Sequence, residues 1–407
     1  MQTDNFQWII LEPYVQVACV NNDVLYYNTV NRKYIACHGN FRIAEITRQL
    51  IDPANGYVTK IGWEELKKNG VEEFIAGLQN DFMAGIQSPG LSLTKPFNIV
   101  PQPIVKQDKF ALENHLREIT FHVSATNWPG MAAFDRAYTQ FPFPLYSAGP
   151  GEEFSLETIM SVIRQTTTLP FATFNFTGPG ILDSPWYDSI GKMMADTPFR
   201  RKFHMPLSLL PPTLPGKLKR NESLCIYVTF PAGQQEMDQM TALVKKYGKQ
   251  KGLEFNFVVR SNAEVEESIG MISGLNTKHV YFKPHLDGHN TGFFREQVFI
   301  GEADIKASRP TRNQVFSRMT MNENDYGKLT IFPDGAVFAN VNDAPLGNIH
   351  RESVAELVAK EVEGGTSWKR RRLGVEPCKN CLYQFLCPPI SNYEISSKKF
   401  NFCHVCP

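Results

Sequence analysis

Five of the eight cysteines lie in the last thirty residues of this 407-residue chain. They are Cys378, Cys381, Cys387, Cys403 and Cys406, and the first three follow the spacing C-x2-C-x5-C. Two cysteines two residues apart can chelate one ion from a single turn, and the longer loops bring in the others. Thiolates favour zinc or iron–sulfur clusters over hard cations, and the spacing allows both. We therefore predict one [4Fe-4S] cluster or one zinc ion, with Cys406 as a spare or alternative ligand because chain termini fray.

The charge balance and the distribution of apolar residues limit the classes of protein to which this chain can belong. Lys and Arg number 42 and Asp and Glu 41, a net charge of +1, which argues against a nucleic-acid partner. The first residues show no signal peptide, and no apolar run approaches the roughly 20 residues of a membrane span, so no membrane partner is expected. We expect a cytoplasmic protein, and in reducing surroundings clustered cysteines bind metal more often than they form disulfides.

Residues 1–87 have the pattern of three strands followed by three helices. The segments WIILEPYVQVACV, VLYYNTV and KYIAC are rich in β-branched and aromatic residues and are separated by turns. Asn40 can cap a first helix, and WEELKKNG is a short second helix. In a third helix, Phe74, Leu78 and Phe82 recur on one face, which predicts that they point inward.

Residues 88–104 contain four prolines and no periodicity, which predicts a linker. Residues 105–300 then alternate strand-like and helix-like segments, a pattern typical of a parallel sheet with helices outside. The strand-like segments are REITFHV, LPFATFNF, MPLSLL, LCIYVTF, EFNFVVR and HVYF. The predicted fold class is therefore α/β, with six parallel strands in an open or barrel-like sheet.

Residues 301–407 have a different pattern. LTIFPDGAVFAN predicts a hairpin that turns at Pro-Asp-Gly. Ser353 followed by Glu356 is a capping box that opens a helix. The cysteine-rich tail follows, so we predict a C-terminal metal-binding domain.

The cysteine spacing resembles that of the SPASM domain, the cluster-bearing tail of radical-SAM enzymes that modify peptides. That domain has two interleaved ligand sets for two auxiliary clusters. The resemblance implies that Cys378, Cys381, Cys387 and Cys403 form the set for the second cluster. It therefore implies a SPASM-like domain that keeps one metal centre.

The ligand set for the first auxiliary cluster is absent from this chain. Asn340 and Ser391 stand where that set has cysteines, and no cysteine precedes Gly335 within reach. Losing one complete set while keeping the other is hard to obtain by chance.

Residues 105–300 resemble the six-stranded partial (β/α) barrel of the radical-SAM fold. That family needs C-x3-C-x2-C just after the first barrel strand, where this chain has SATNWPGMAAFDRAYTQ without a cysteine. The family's Gly-Gly-Glu-Pro is replaced by Gly178-Pro179-Gly180, which lacks the carboxylate that helps hold the SAM amino group. The resemblance thus implies a degenerate barrel with no functional SAM site.

Residues 1–87 resemble the PqqD-like recognition module, a winged-helix fold of three strands and three helices. That module binds the leaders of ribosomally made precursor peptides, and the leader adds as a strand to the edge of the sheet. The alternative is an ordinary α+β domain. The peptide-binding residues that the resemblance implies are Lys33, Tyr34, Ile35 and Ala36 on the edge strand, with Phe74 and Leu78 on the third helix.

Other groups have less specific patterns. His285, Asp287 and His289 are interpreted as part of a polar turn that contains glycine, with a metal site as the alternative. The basic run 368–372 is interpreted as a solvated face, with contact to an acidic peptide or partner as the alternative. Loop residues near the expected ligand-binding edge of the sheet are Asn127, Trp128, Glu152 and Glu153.

The leading hypothesis is a non-catalytic accessory protein in the maturation of a ribosomally synthesised peptide. It would bind the precursor leader and assist a partner radical-SAM enzyme. One alternative is a scaffold subunit of the maturase complex that touches no peptide. Another is an enzyme or electron carrier that uses one auxiliary-type iron–sulfur cluster.

Overall fold

The computed structural model of this protein describes residues 6–405, apart from 69, 89–93, 99–110, 127–129, 147–152, 171, 183–184, 212–213, 215–217, 249–251, 276 and 278. Most of the predicted linker 88–104 therefore lies outside the described residues. The same holds for the candidate residues Asn127, Trp128, Glu152 and Cys406.

The N-terminal region contains two small antiparallel sheets and three helices. In chain order the elements are β1 (Phe6–Leu11), β2 (Val15–Val20), β3 (Asp23–Asn28), β4 (Tyr34–Cys37), α1 (Phe41–Ile51), β5 (Val58–Gly62), α2 (Trp63–Leu66), α3 (Val71–Asn80) and β6 (Ala84–Gln87). One sheet has the strand order β2-β3-β4 and the other β5-β1-β6.

The prediction of three strands in this region was wrong, because the described residues form six. WIILEPYVQVACV divides around Pro13, which cannot donate a sheet hydrogen bond. The piece before the proline is β1, which pairs with β5 and β6 in the second sheet. Those two strands have only five and four residues, too few for a clear alternation. The strand count of this region is thus corrected to six, in two three-stranded sheets, and the winged-helix interpretation stays a prediction.

The predicted helix ends are only partly correct. Asn40 caps α1 as predicted, and its side-chain oxygen accepts hydrogen bonds from the backbone N–H groups of Arg42 and Ile43. Helix α3 ends at Asn80, before the apolar spacing ends. Phe82 has a φ of +56° and is 69% exposed rather than inward.

The six predicted parallel strands are present in one sheet and in chain order. The elements of this region are α4 (Leu112–His115), β7 (Glu118–His122), β8 (Ala125–Thr126), β9 (Leu145–Tyr146), α5 (Leu156–Gln165), β10 (Thr173–Thr177), α6 (Pro185–Met193), β11 (Arg200–Pro206), β12 (Glu222–Val228), α7 (Gln234–Tyr247), β13 (Leu253–Val259), α8 (Asn262–Ser273) and β14 (Val280–Pro284). The third parallel strand, β11, begins earlier than MPLSLL, whose residues 207–209 form a 3-10 turn. The strand begins with the charged residues RRK, so its first residues do not show the apolar pattern of a strand.

The C-terminal region adds to the same sheet. Its elements are α9 (Thr291–Gln297), α10 (Glu302–Ser308), α11 (Arg312–Thr320), β15 (Lys328–Ile331), β16 (Ala336–Phe338), β17 (Gly347–Asn348), α12 (Val354–Gly364) and α13 (Asn392–Ser397). The predicted hairpin is β15–β16, but β15 also pairs in parallel with β7. The sheet therefore has nine strands, in the order β14-β13-β12-β11-β10-β7-β15-β16-β17. The described helices include none that is long and apolar enough to cross a membrane.

The large sheet is strongly curved. Side chains of β7, β14 and β15 line one cavity of about 380 Å³, which we call the sheet cavity. In a flat sheet β14 and β7 would lie about 24 Å apart, at about 4.8 Å per strand. The helix-facing side is apolar, with Ile119 and Phe121 fully buried, whereas the concave side carries polar residues such as Thr120 and His122.

Candidate functional site

The structure brings the four predicted cysteine ligands together. Cys378, Cys381 and Cys387 are 5, 8 and 6% exposed, and they line one small cavity with half-buried Cys403. Across the described part of the chain, no three His, Cys, Asp or Glu side chains are placed so that they could hold a metal ion. The four thiols lie next to one another in this structure, but their geometry is not that of a metal site. Ligation of a metal by these cysteines stays a prediction.

Burial raises the pKa of two of these thiols, those of Cys378 and Cys387. It raises the pKa of Cys387 to about 12, and the three neighbouring thiols add to the rise. It also raises the pKa of Cys378, against the opposing charge of Arg372. Metals bind the thiolate and release its proton. Four soft thiol donors fit zinc or iron rather than a hard cation.

Arg372 lies beside the thiols, and the sequence indicated it only as a member of the basic run 368–372. Its guanidinium makes a bidentate ion pair with Glu394, with N–O distances of 3.0 and 3.1 Å. It also donates to Sγ of Cys378 at 3.4 Å and to the carbonyl oxygens of Pro388 and Phe400. One side chain thus connects the cysteine loop to α13 and to the final segment of the chain.

The interpretation of the basic run 368–372 as a solvated face holds only in part, since Lys369 and Arg371 are exposed but the other members are not. Arg370 pairs with Asp343, and Arg371 donates to the carbonyl oxygen of Met319. The last arginine of the run is only 8% exposed. These side chains therefore connect loops in a region with few regular elements. The available signal was the position of the run, directly before the first clustered cysteine.

Asn340 and Ser391, which stand where the SPASM resemblance would place cysteines, take part in hydrogen bonds. Asn340 donates to Asp325 at 2.7 Å and to Asn392 at 2.8 Å, and Ser391 caps α13. Asn322 donates to the other carboxylate oxygen of Asp325 at 2.9 Å. Burial nevertheless raises the pKa of Asp325 to about 6. This position is therefore a polar wall of the sheet cavity.

The segment at the place of the radical-SAM cysteine motif packs onto the concave face of the sheet. Its residues 131–139 contain two 3-10 turns. Phe134, Phe141 and Phe143 are each at most 6% exposed, and we call them the aromatic plug. The rings of Phe143 and Tyr227 meet edge-to-face with centroids 5.2 Å apart. The apolar clustering of these phenylalanines was the missed signal in the sequence.

Beside the aromatic plug, the concave face has buried hydrogen bonds that cross the strands. The ring of His204 bonds the Tyr227 hydroxyl and the side-chain oxygen of Asn175, each at 3.1 Å. His122 bonds the hydroxyl of Thr177 at 2.8 Å. Burial lowers the pKa of both histidines to about 3, so both rings are neutral at pH 7.

The predicted peptide edge is the open edge of its sheet, since no other described strand pairs with β4 beyond β3. The backbone N–H of Asn28 donates to the carbonyl of Lys33. Hydrogen-bonded pairs alternate along an antiparallel ladder, so the N–H groups of Tyr34 and Ala36 point away from β3. Two backbone donors are therefore available at this edge.

The two helix residues assigned to the peptide groove differ in accessibility. Phe74 is half-buried, and its ring meets that of Tyr26 edge-to-face with centroids 5.6 Å apart. Leu78 is 2% exposed in the core of the module, so in this structure it supports α3 and offers little surface to a peptide. Ile35 faces α3, within contact distance of a Cβ at Gly77.

No protein-family model matches the chain, and no curated protein matches it. Among solved structures, SuiB of Streptococcus suis bound to its precursor peptide SuiA has a TM-score of 0.40 at 10% identity, covering 98% of this chain and 99% of that chain. SuiB bound to S-adenosylmethionine has a TM-score of 0.37 at 10% identity, covering 98% and 100%. A further SuiB structure has the same TM-score, identity and coverage as the complex with S-adenosylmethionine. A likeness this weak transfers no function to this protein.

The outer face of the β2-β3-β4 sheet packs on the cysteine segment. Ala18, Leu25 and Tyr27 form one apolar cluster with Cys381 and Cys387. The Tyr27 hydroxyl also donates to the backbone carbonyl before α11, that of residue 310, at 2.7 Å. The cysteines therefore lie directly behind the sheet whose edge is β4.

The candidate group His285, Asp287 and His289 does not converge on a metal-binding point in the described structure. The ring of His285 is buried against Phe134, with centroids 5.4 Å apart. The carboxylate of Asp287 accepts backbone N–H groups of His289 and Asn290. These residues thus form a polar turn beside the aromatic plug.

Proposed function

We propose that this protein is a non-catalytic accessory in the maturation of a ribosomally synthesised peptide. The observation that supports this proposal most directly is the open β4 edge. That edge offers the backbone N–H groups of Tyr34 and Ala36 beside α3. A leader added there continues the β2-β3-β4 sheet. Its alternate side chains would face α3 on one side and Lys306 on the other, whose ammonium lies 4.8 Å from the centre of the Tyr34 ring.

The aromatic plug supports the non-catalytic part of the proposal. It packs against Tyr227 on the concave face where a catalytic cluster and SAM would need room. Gly178 is also tightly packed, because a Cβ there would lie 2.9 Å from the carbonyl oxygen of Ser124. The degenerate radical-SAM-like barrel would therefore serve as a framework, and a partner radical-SAM maturase would supply the chemistry.

The four thiols support one structural metal centre, a zinc ion or a [4Fe-4S] cluster. Cys378, Cys381, Cys387 and Cys403 would hold it, and when bound it would cross-link three loops of a domain with few regular elements. Since Cys381 and Cys387 also pack behind the β2-β3-β4 sheet, the metal would stiffen the peptide-binding module from the rear.

Replacing Ala36 with proline is expected to weaken binding of the leader about tenfold, because it removes one outward N–H donor. Proline is tolerated at an open sheet edge. The measurement is calorimetric titration with a synthetic leader peptide of a ribosomally made precursor. Ala36→Ser keeps the N–H and is the matched control, with circular dichroism confirming that both variants fold.

Failure of the folded wild-type protein to bind that leader contradicts the proposal. Retained association with the partner maturase in the same experiment would then favour the scaffold alternative. Equal affinity of Ala36→Pro and Ala36→Ser would place the peptide elsewhere on the protein.

Removing the metal with a chelator, or introducing Cys387→Ser, is expected to lower the melting temperature by about 10 °C. This corresponds to the roughly 4 kcal/mol that a ligand at a thousand times its Kd contributes. Elemental analysis measures the metal content, and differential scanning calorimetry measures the melting temperature. Cys19→Ser, outside the cluster, is the control. One zinc in a colourless protein indicates structural support, whereas a brown protein with iron and sulfide indicates a cluster. No bound metal, with unchanged melting of Cys387→Ser, refutes the metal centre.

A further inference from the structure

Two lysines line the sheet cavity without a close ion pair, although Asp325 attracts Lys328 and Glu254 attracts Lys283 from a distance. Lys283 enters it from β14 and Lys328 from β15, at opposite walls. Among the described residues, neither ammonium has a carboxylate oxygen within 4.0 Å. The nearby Glu254 is instead paired with Lys202 at 3.7 Å. Burial lowers the pKa of Lys283, and the attraction of Glu254 opposes part of that effect.

Several neutral donors line the same cavity without using their hydrogen-bonding capacity. The hydroxyls of Tyr138 and Tyr393 and the amide nitrogen of Asn392 have no protein partner in the described part of the chain. The amide oxygen of Asn392 is already used, since it accepts from Asn340. The free donors among these groups are the Asn392 amide nitrogen and the two tyrosine hydroxyls, and the hydroxyls can also accept.

The acceptors on the walls are fewer and mostly occupied. Asp325 is held by two asparagine amides and faces Arg370 at 3.9 Å. Glu118 is half-exposed at the rim, beside Lys328 in the strand register. Two carboxylates near the cavity disfavour a dianionic phosphate, while surplus donors favour one negative charge with several acceptor sites.

We propose that the sheet cavity binds a carboxylate group, with Lys283 and Lys328 supplying charge and Tyr138, Tyr393 and Asn392 supplying hydrogen bonds. A cavity of this size has room for a side chain or a small molecule. If the proposed function holds, the carboxylate belongs to the precursor peptide, as an acidic side chain or its C-terminus. The other source of the same chemistry is a free small carboxylic acid.

The test uses small probes that do not need the leader site. N-acetyl-glutamate N-methylamide, N-acetyl-alanine and succinate are titrated into the full-length protein and followed by NMR. N-acetyl-glutamine N-methylamide is the neutral match. We expect saturable binding of the first two probes, none of the neutral one, and about tenfold weaker binding in Lys283→Gln. Lys245→Gln on the exposed surface of α7 is the control, and Lys328→Gln replaces Lys283→Gln if that variant fails to fold.

Each result decides a part of the proposal. Absence of saturable binding, or equal binding by the folded Lys283→Gln and wild-type proteins, overturns the carboxylate site. Binding of succinate alone supports the site but overturns its link to a peptide. Because the probes carry no leader, a failed Ala36→Pro experiment and a failed probe experiment are separate outcomes.

Discussion

Replacing Arg372 with methionine is expected to destabilise the C-terminal region by about 3–5 kcal/mol. The change leaves the carboxylate of Glu394, which is 2% exposed, buried without its bidentate partner, and breaking one side of a buried ion pair costs about that much. It also removes the donor to Sγ of Cys378. Urea unfolding at constant metal content measures the loss.

Arg371 provides a matched control for this experiment. It is the neighbouring residue in the same basic run, is exposed, and donates one bond to the carbonyl oxygen of Met319. Arg371→Met is expected to cost about 1 kcal/mol. In the double variant Arg372→Met with Glu394→Met, no charge is left unpaired, so its loss should be smaller than the sum of the single losses. Equal losses for Arg371→Met and Arg372→Met would show that the buried pair contributes nothing special.

Acidification below pH ~6.5 is expected to destabilise the protein through two buried histidines, while Asp325, whose pKa burial raises to about 6, offsets part of the loss. His122 and His204 have folded-state pKa values of about 3 because burial disfavours their charged forms, whereas unfolded histidine titrates near 6.5. Between these values the unfolded chain binds more protons, so stability is complete above pH ~6.5 and falls as the pH drops. Each histidine contributes about 1.4 kcal/mol per pH unit, so the pair loses about 4 kcal/mol between pH 6.5 and 5.

The measurement is the free energy of urea unfolding at pH 7 and pH 5. The double variant His122→Asn with His204→Gln keeps polar groups at both positions and should lose most of this pH dependence. His289→Gln changes an exposed histidine and should keep it. His285, whose pKa burial lowers to about 4, accounts for part of the remaining slope. A double variant with the wild-type slope would show that these two rings do not cause acid sensitivity.

The order of elements in the large sheet was predictable because each parallel strand is a nearly continuous apolar run. Strands such as LCIYVTF and EFNFVVR are buried on both faces, so their pattern does not depend on a partner element. The short strands β5 and β6 were not predictable in the same way. They owe their conformation to pairing with β1, and a strand of four or five residues has no distinctive period of its own.

The boundary predicted at residue 300 shows a second limit of sequence reasoning. The hairpin β15–β16 was recognised, but its parallel pairing with β7 was not. Pairing of strands about two hundred residues apart depends on which edge remains open after the rest of the chain has folded. That is a property of the tertiary structure, because local propensity contains no information on it.

The sequence by itself determined the α/β alternation, the capping of α1 by Asn40, and the grouping of Cys378, Cys381 and Cys387 at chelate spacing. These features depend on neighbours within a few residues, where side-chain chemistry and backbone geometry act directly. Only the tertiary structure decided that Arg372 lies against the thiols and that Lys283 and Lys328 face one cavity. Such contacts join residues distant in the chain, and the curvature and packing of the whole sheet place them together.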